Sequence, residues 1–198
     1  MSTVMVPANA AEALGMLETA VGFLADMDAP GMSAGALAEC LRGMEQADAV
    51  GAAARGRMLA AFDTKDGSVG DGQRSTRTWL VHSTRVTRGQ AGEHKAVQAL
   101  AQGHAPLLAG LRDGGVITKS VALQLATWTN GIPEEYRARA EEILIAAARA
   151  GAGLRELAAI CAEIRYRTAP PDPDEDPRLD RALFLDTTID GAGSSAVT

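Results

Sequence analysis

Residues 33–62, SAGALAECLRGMEQADAVGAAARGRMLAAF, set Leu37, Leu41, Met44, Ala47, Gly51, Ala54, Met58 and Phe62 at three- and four-residue steps. That spacing is one face of an α-helix, without the alternation of a strand. Ser33 stands where an N-cap belongs, its hydroxyl able to accept from a free amide of the first turn. The stretch reads either as one long scaffold helix or as two helices broken near Gly51. Composition agrees with a helical chain: 46% of the 198 residues are hydrophobic but only 4% are aromatic. Ala, Leu and Met fill the apolar positions, and they lose little rotamer freedom in a helix.

Upstream, residues 9–27 carry Ala13, Leu17, Ala20, Val21 and Leu24 on one stripe and end at the breaker Asp28-Ala29-Pro30-Gly31, predicting a first helix with a face turned to a partner. Downstream, KDGSVGDGQRS (65–75) reads as a loop. Ser75 or Thr76 then caps a short helix through Trp79, Leu80 and Val81. Thr87-Arg88-Gly89-Gln90 has the spacing of a capping box and opens a helix to about Gln102. Residues 104–113 form a short helix ending at Gly114-Gly115, and Thr118 caps another that ends at Asn130-Gly131. Pro133 suits a first helical position, with Glu134 and Glu135 at the positive end of the dipole. That helix stops at Gly151, and Leu154–Thr168 make the last one.

The segment APPDPDEDP (169–177) cannot hold helix or strand, because its prolines remove donors and its carboxylates repel one another. RALFLDTTIDGAG beyond it alternates like a strand entering a turn. The expected fold class is therefore mainly α: a multi-helix bundle with a long N-terminal helical scaffold and a short C-terminal β segment. Its divisions are a helical domain over 1–168, a Pro/Asp-rich linker over 169–178 and a strand-like segment over 179–198. A lone strand needs a partner, so the tail is expected to be completed by another chain.

The formal charge is −6 but unevenly spread. Residues 1–73 carry 4 Lys+Arg against 10 Asp+Glu, residues 74–112 carry 6 against 1, and residues 113–198 carry 9 against 14, giving −6, +5 and −5. The middle is a basic island in an acidic chain. Its candidate nucleic-acid-binding residues are Arg74, Arg77, Arg85, Arg88, Gln90 and Lys95, interleaved with Ser and Thr hydroxyls. Arg88 and Gln90 fall in a first helical turn, where exposed amides and the dipole favour anions. Two short helices joined by 83–87 could imitate a helix-turn-helix, with 87–101 as the reading helix. The competing reading makes these arginines solvated, or partners of the acidic outer thirds.

Other features point away from chemistry. LRDGGVITKS lacks the spacing of a phosphate-binding loop and reads as a helix-to-helix turn. Cys40 and Cys161 look like small buried hydrophobes, Trp79 and Trp128 like core or interface anchors, and Glu134, Glu135, Glu141 and Glu142 like a solvated face. No basic leader or long apolar run is present, so the expected location is cytoplasmic.

Taken in order, the DG-loop with RTWL, then TRVTRGQAGEHKAVQAL, then APLLAGLRDGGVITKSVALQLATWTNGIP resemble the actinobacterial 13E12-repeat family, whose shared N-terminal region is called DUF222. Trp79-Leu80, Pro106, Gly115, Ile117, Thr118 and Pro133 fall in the places of that pattern, as does the closing LFLDTTIDGAG. The likeness covers about 33–191, and its motifs are packing and turn signals. It implies kinship with proteins that commonly carry an HNH endonuclease domain after this region and are associated with mobile or repeated genetic elements. His82, His94 and His104 all sit in helical patterns, whereas an HNH site needs a His base and metal ligands on a compact ββα unit. No catalytic residue, metal or cofactor is expected. The expected function is a non-catalytic DNA-associated accessory domain of a mobile-element nuclease family. The alternative is a helical self-association or protein-interaction module.

Overall fold

The structure, a computed structural model, describes residues 6–114 and 116–169, together with the backbone of 184–187 and 193–196. Nine α-helices lie among the described residues: α1 Ala10–Ala25, α2 Ala34–Thr64, α3 Gly67–Gly70, α4 Thr76–Ser83, α5 Arg88–Gly103, α6 Ala105–Arg112, α7 Lys119–Thr129, α8 Glu134–Arg149 and α9 Leu154–Thr168. The protein is mainly helical, as the apolar spacing predicts.

Local chemistry sets the boundaries. Asn9 caps α1 by accepting from the Glu12 amide at 3.0 Å, and the Glu12 carboxylate accepts from the Ala8 amide at 2.7 Å. Ser33, Ser75, Thr87 and Thr118 cap α2, α4, α5 and α7 in the same way. Thr87 thus makes its half of the expected capping box, accepting from the Gln90 amide at 3.2 Å. The Gly-rich stretch after α6 is a turn between helices, with Gly114 left-handed at φ 77°.

The long helix α2 is continuous through Gly51, which resolves the choice between one helix and two. Its body-facing side differs from the expected stripe. Ala49, Ala52, Ala53, Gly56 and Leu59 are buried, whereas Gly51, Ala54 and Met58 are exposed. The reason is close approach. A methyl group on Gly56 would sit 2.7 Å from the Val97 carbonyl oxygen, so α5 packs against the side of α2 with the smallest residues. Hydrophobic periodicity weights Met58 and Phe62 above Ala and Gly, and so misplaces the contact by one or two residues.

Helices α5 to α9 close around the main core, in which Leu100, Leu107, Leu111, Leu125, Leu144 and Leu157 are almost wholly buried. A smaller cluster of Leu59, Leu80 and Ala91 joins α2, α4 and α5, with Trp79 packed against it. The Trp79 indole N–H donates to Asp71 at 2.6 Å, and its ring lies 4.5 Å from that of Phe62. Trp128 is half-buried against the main core. Cys161 is buried and Cys40 half-buried, and both are free thiols.

Helix α1 contributes no buried residue. Most of the expected linker and tail lies outside the described residues. The expected C-terminal β segment is not supported as part of the architecture. Backbone pairing there joins only Phe184–Thr187 with Gly193–Ala196, antiparallel, and two strands that short are not an independent sheet.

Candidate nucleic-acid interface

Helices α4 and α5 are joined by a four-residue turn, Thr84 to Thr87. The Thr84 amide and hydroxyl both donate to the Leu80 carbonyl, at 3.1 and 2.6 Å, closing α4. Arg85 then adopts a left-handed backbone, φ 57°. Val86 folds back onto the Leu59–Leu80–Ala91 cluster, which fixes the angle at which α5 begins.

This geometry brings two of the expected residues together. The Arg77 guanidinium reaches across the first turn of α5, donating to the Arg88 carbonyl at 3.3 Å. Arg77, Thr78, Val81, His82 and Arg88 line an open cleft of about 470 Å³. Arg74, on the loop before α4, and Arg85, in the turn, are exposed and outside that lining. Gln90 is exposed in the first turn of α5. Among the described residues, no carboxylate lies within 4.0 Å of Arg74, Arg77, Arg85 or Arg88. Within the described residues these four are therefore not tied to acidic partners by close ion pairs.

Lys95 is placed differently. It pairs with Asp63 of α2 at 3.3 Å, and the same carboxylate accepts from Gln98 at 2.7 Å and from the Thr76 hydroxyl. Hydrogen bonds from Thr76 and Gln98, then Lys95, hold the Asp63 carboxyl below its ordinary range. Lys95 thus belongs to a knot tying α2, α4 and α5. Glu93 pairs with Lys119 of α7 at 3.2 Å, while its neighbour His94 is buried. Burial, with Arg55 and Lys119 adding to it, pushes the His94 pKa down. The expected reading helix contacts α2, α4, α6 and α7. Beyond Arg88 no cation remains on its exposed face.

One polar cluster was not anticipated from the sequence. Glu141 is fully buried, correcting its place on a solvated face. Its Oε1 accepts from His104 Nδ1 at 2.5 Å and from the Thr129 hydroxyl at 3.0 Å, joining α8 to the α5–α6 junction and to α7. The signal was present: Glu141 precedes Leu144 and Ile145 by three and four residues, on the same face of α8. Its other oxygen, Oε2, has no hydrogen-bond partner among the described residues. Among the described residues no group of three His, Cys, Asp or Glu side chains is placed to hold a metal ion, and no helix is long and apolar enough to cross a membrane.

Comparison with family models, with curated proteins and with solved structures finds no match to this chain.

Proposed function

We propose that the chain is a non-catalytic, DNA-associated helical domain that holds the phosphate backbone at the α4–α5 junction. One observation carries this reading: four exposed arginines in one short segment lack close carboxylate partners among the described residues, and two of them converge with His82 and Thr78 on a cleft beside the N-terminus of α5. Guanidinium groups offer planar, paired donors that suit phosphate oxygens. The amides of a first helical turn add a favourable field. Beyond Arg88, α5 exposes Gln90, Gln102, small residues and the paired Glu93, a face with no unpaired cation that supports backbone positioning over base readout. The resemblance to the DUF222 region adds a role: a cytoplasmic domain accessory to the nuclease of a mobile-element family.

The test is fluorescence anisotropy of the chain with labelled duplex DNA across a salt series. Binding should weaken steeply with salt, because each neutralised phosphate releases counterions. Replacing both Arg77 and Arg88 with alanine should flatten the log–log salt slope by about 1.8, at roughly 0.9 per lost phosphate contact. Absence of binding at low salt, or binding that survives the double substitution with its slope intact, overturns the reading.

A further inference from the structure

The arginine cleft offers more charge and more donors than one phosphate of an uninterrupted strand uses. Arg77, Thr78 and His82 reach it from α4 and Arg88 from the first turn of α5, with Val81 as the apolar part of its lining. On α4 the lining residues are neighbours one turn apart, Arg77 with Val81 and Thr78 with His82, so a single helix face presents them. The Arg77 guanidinium is laid along the α5 backbone. Its Nη2 donates to the Arg88 carbonyl at 3.3 Å, and a methyl group on Gly92 would stand 3.6 Å from the same nitrogen. With no side chain at Gly92, the group is held in place and its remaining N–H donors stay turned to a ligand.

Charge decides what that ligand is. A phosphodiester inside a strand carries a single negative charge and two non-bridging oxygens. The phosphate monoester at a strand end carries about −1.5 to −2 at neutral pH and three acceptor oxygens. Two guanidiniums in one cleft match the monoester in charge and in donors. The fold supplies no track along α5 for a strand that continues: Lys95, the other Lys or Arg of that helix, is paired with Asp63. Arg74 and Arg85 stand outside the lining, where they add general attraction to DNA without entering the cleft.

We propose that the cleft receives the terminal phosphate monoester of a DNA strand, so that the domain holds strand ends in preference to uninterrupted duplex. This rests on the DNA association proposed above and narrows it to one chemical group. Arg88 supplies a planar fork for two of the oxygens, and Arg77, anchored on α5, meets the third.

Fluorescence anisotropy with one internally labelled duplex, prepared with 5′-phosphate, 3′-phosphate or hydroxyl ends, tests this at a pH well above about 6, where the monoester holds its second charge. A phosphate-ended duplex should bind about tenfold more tightly than the hydroxyl-ended one, the worth of one added charge-assisted hydrogen bond. The 5′ and 3′ arms show which end supplies the group. Arg77→Ala with Arg88→Ala should abolish the preference. Arg74→Ala with Arg85→Ala should weaken every duplex alike and keep the ratio. Equal, salt-dependent binding of phosphate and hydroxyl ends overturns the strand-end proposal and leaves DNA association standing. No binding of any duplex at low salt overturns both, and a preference that outlives the Arg77 and Arg88 substitutions puts the end elsewhere and overturns the assignment to this cleft.

Discussion

The two halves of α2 are one unbroken helix with opposite relations to the rest of the molecule. From Ala49 onward its buried residues are Ala, Gly and one Leu, pressed against α5. Before Ala49 no residue is buried, and Leu41 and Met44 face solvent. Large apolar side chains occur in both halves, Leu37, Leu41 and Met44 in the first and Val50, Met58, Leu59 and Phe62 in the second, so their number does not mark the half the body uses. In an Ala-rich helix, body contact is marked by small residues that allow backbones to meet.

The sharpest way to break this comparison lies on the packed side, in the polar cluster the core encloses. Replacing His104 with alanine leaves the buried Glu141 carboxylate with Thr129 as its remaining partner. Denaturant unfolding should show a loss of about 3–5 kcal/mol, the cost of an uncompensated buried charge. A loss below about 1 kcal/mol would mean that the body tolerates an open carboxylate.

A gentler test makes one substitution at two places on α2. Gly56→Ala puts a methyl group against the Val97 backbone and should destabilise by about 1–3 kcal/mol through overpacking. Gly51→Ala meets nothing within 4 Å and should stabilise by about 0.5–1 kcal/mol, through helix propensity alone. Equal effects at the two sites, measured by denaturant midpoint, would erase the distinction between the two faces of α2.

The smallest effects should appear as a dependence on pH, again confined to the packed side. Because burial first, and then Arg55 and Lys119, lower the His94 pKa, the unfolded chain takes up that proton before the folded one. Stability present above the ordinary value of 6.5 should decline as pH falls below it and on through the lowered folded value. Asp63 follows in more acid solution. Its carboxyl stays ionised in the folded chain below the ordinary 3.8, so its contribution is full above that value and disappears as pH falls through the folded one. His94→Gln should remove the first decline and Asp63→Asn the second, followed by thermal unfolding across the pH range.

The order and boundaries of the longer helices were legible in the sequence because hydroxyl caps and Gly or Pro breakers act locally, whereas the short α3, Gly67–Gly70, falls in the stretch 65–75 expected to be a loop. Ser33, Ser75, Thr87 and Thr118 each need only the amides of the next turn. The packed face of α2 was not legible, because Ala and Gly carry little hydrophobic signal and their role emerges only when α5 approaches. Glu141 was misread for a related reason. A carboxylate is assigned to solvent by type, and its partners His104 and Thr129 come from distant segments. For the candidate interface, composition marked the basic island. Only the fold separates Arg77 and Arg88, drawn together, from Lys95, drawn inward to Asp63.

The left-handed backbone at Arg85 sets turn geometry against charge at a single position. A residue with a Cβ is disfavoured there by about 1–2 kcal/mol, and glycine would make the turn without that strain. The substitution that most eases the turn is therefore also the one that discharges it. Selection for a sturdier hinge between α4 and α5 would erode the basic island, and selection for the island would keep that hinge under tension.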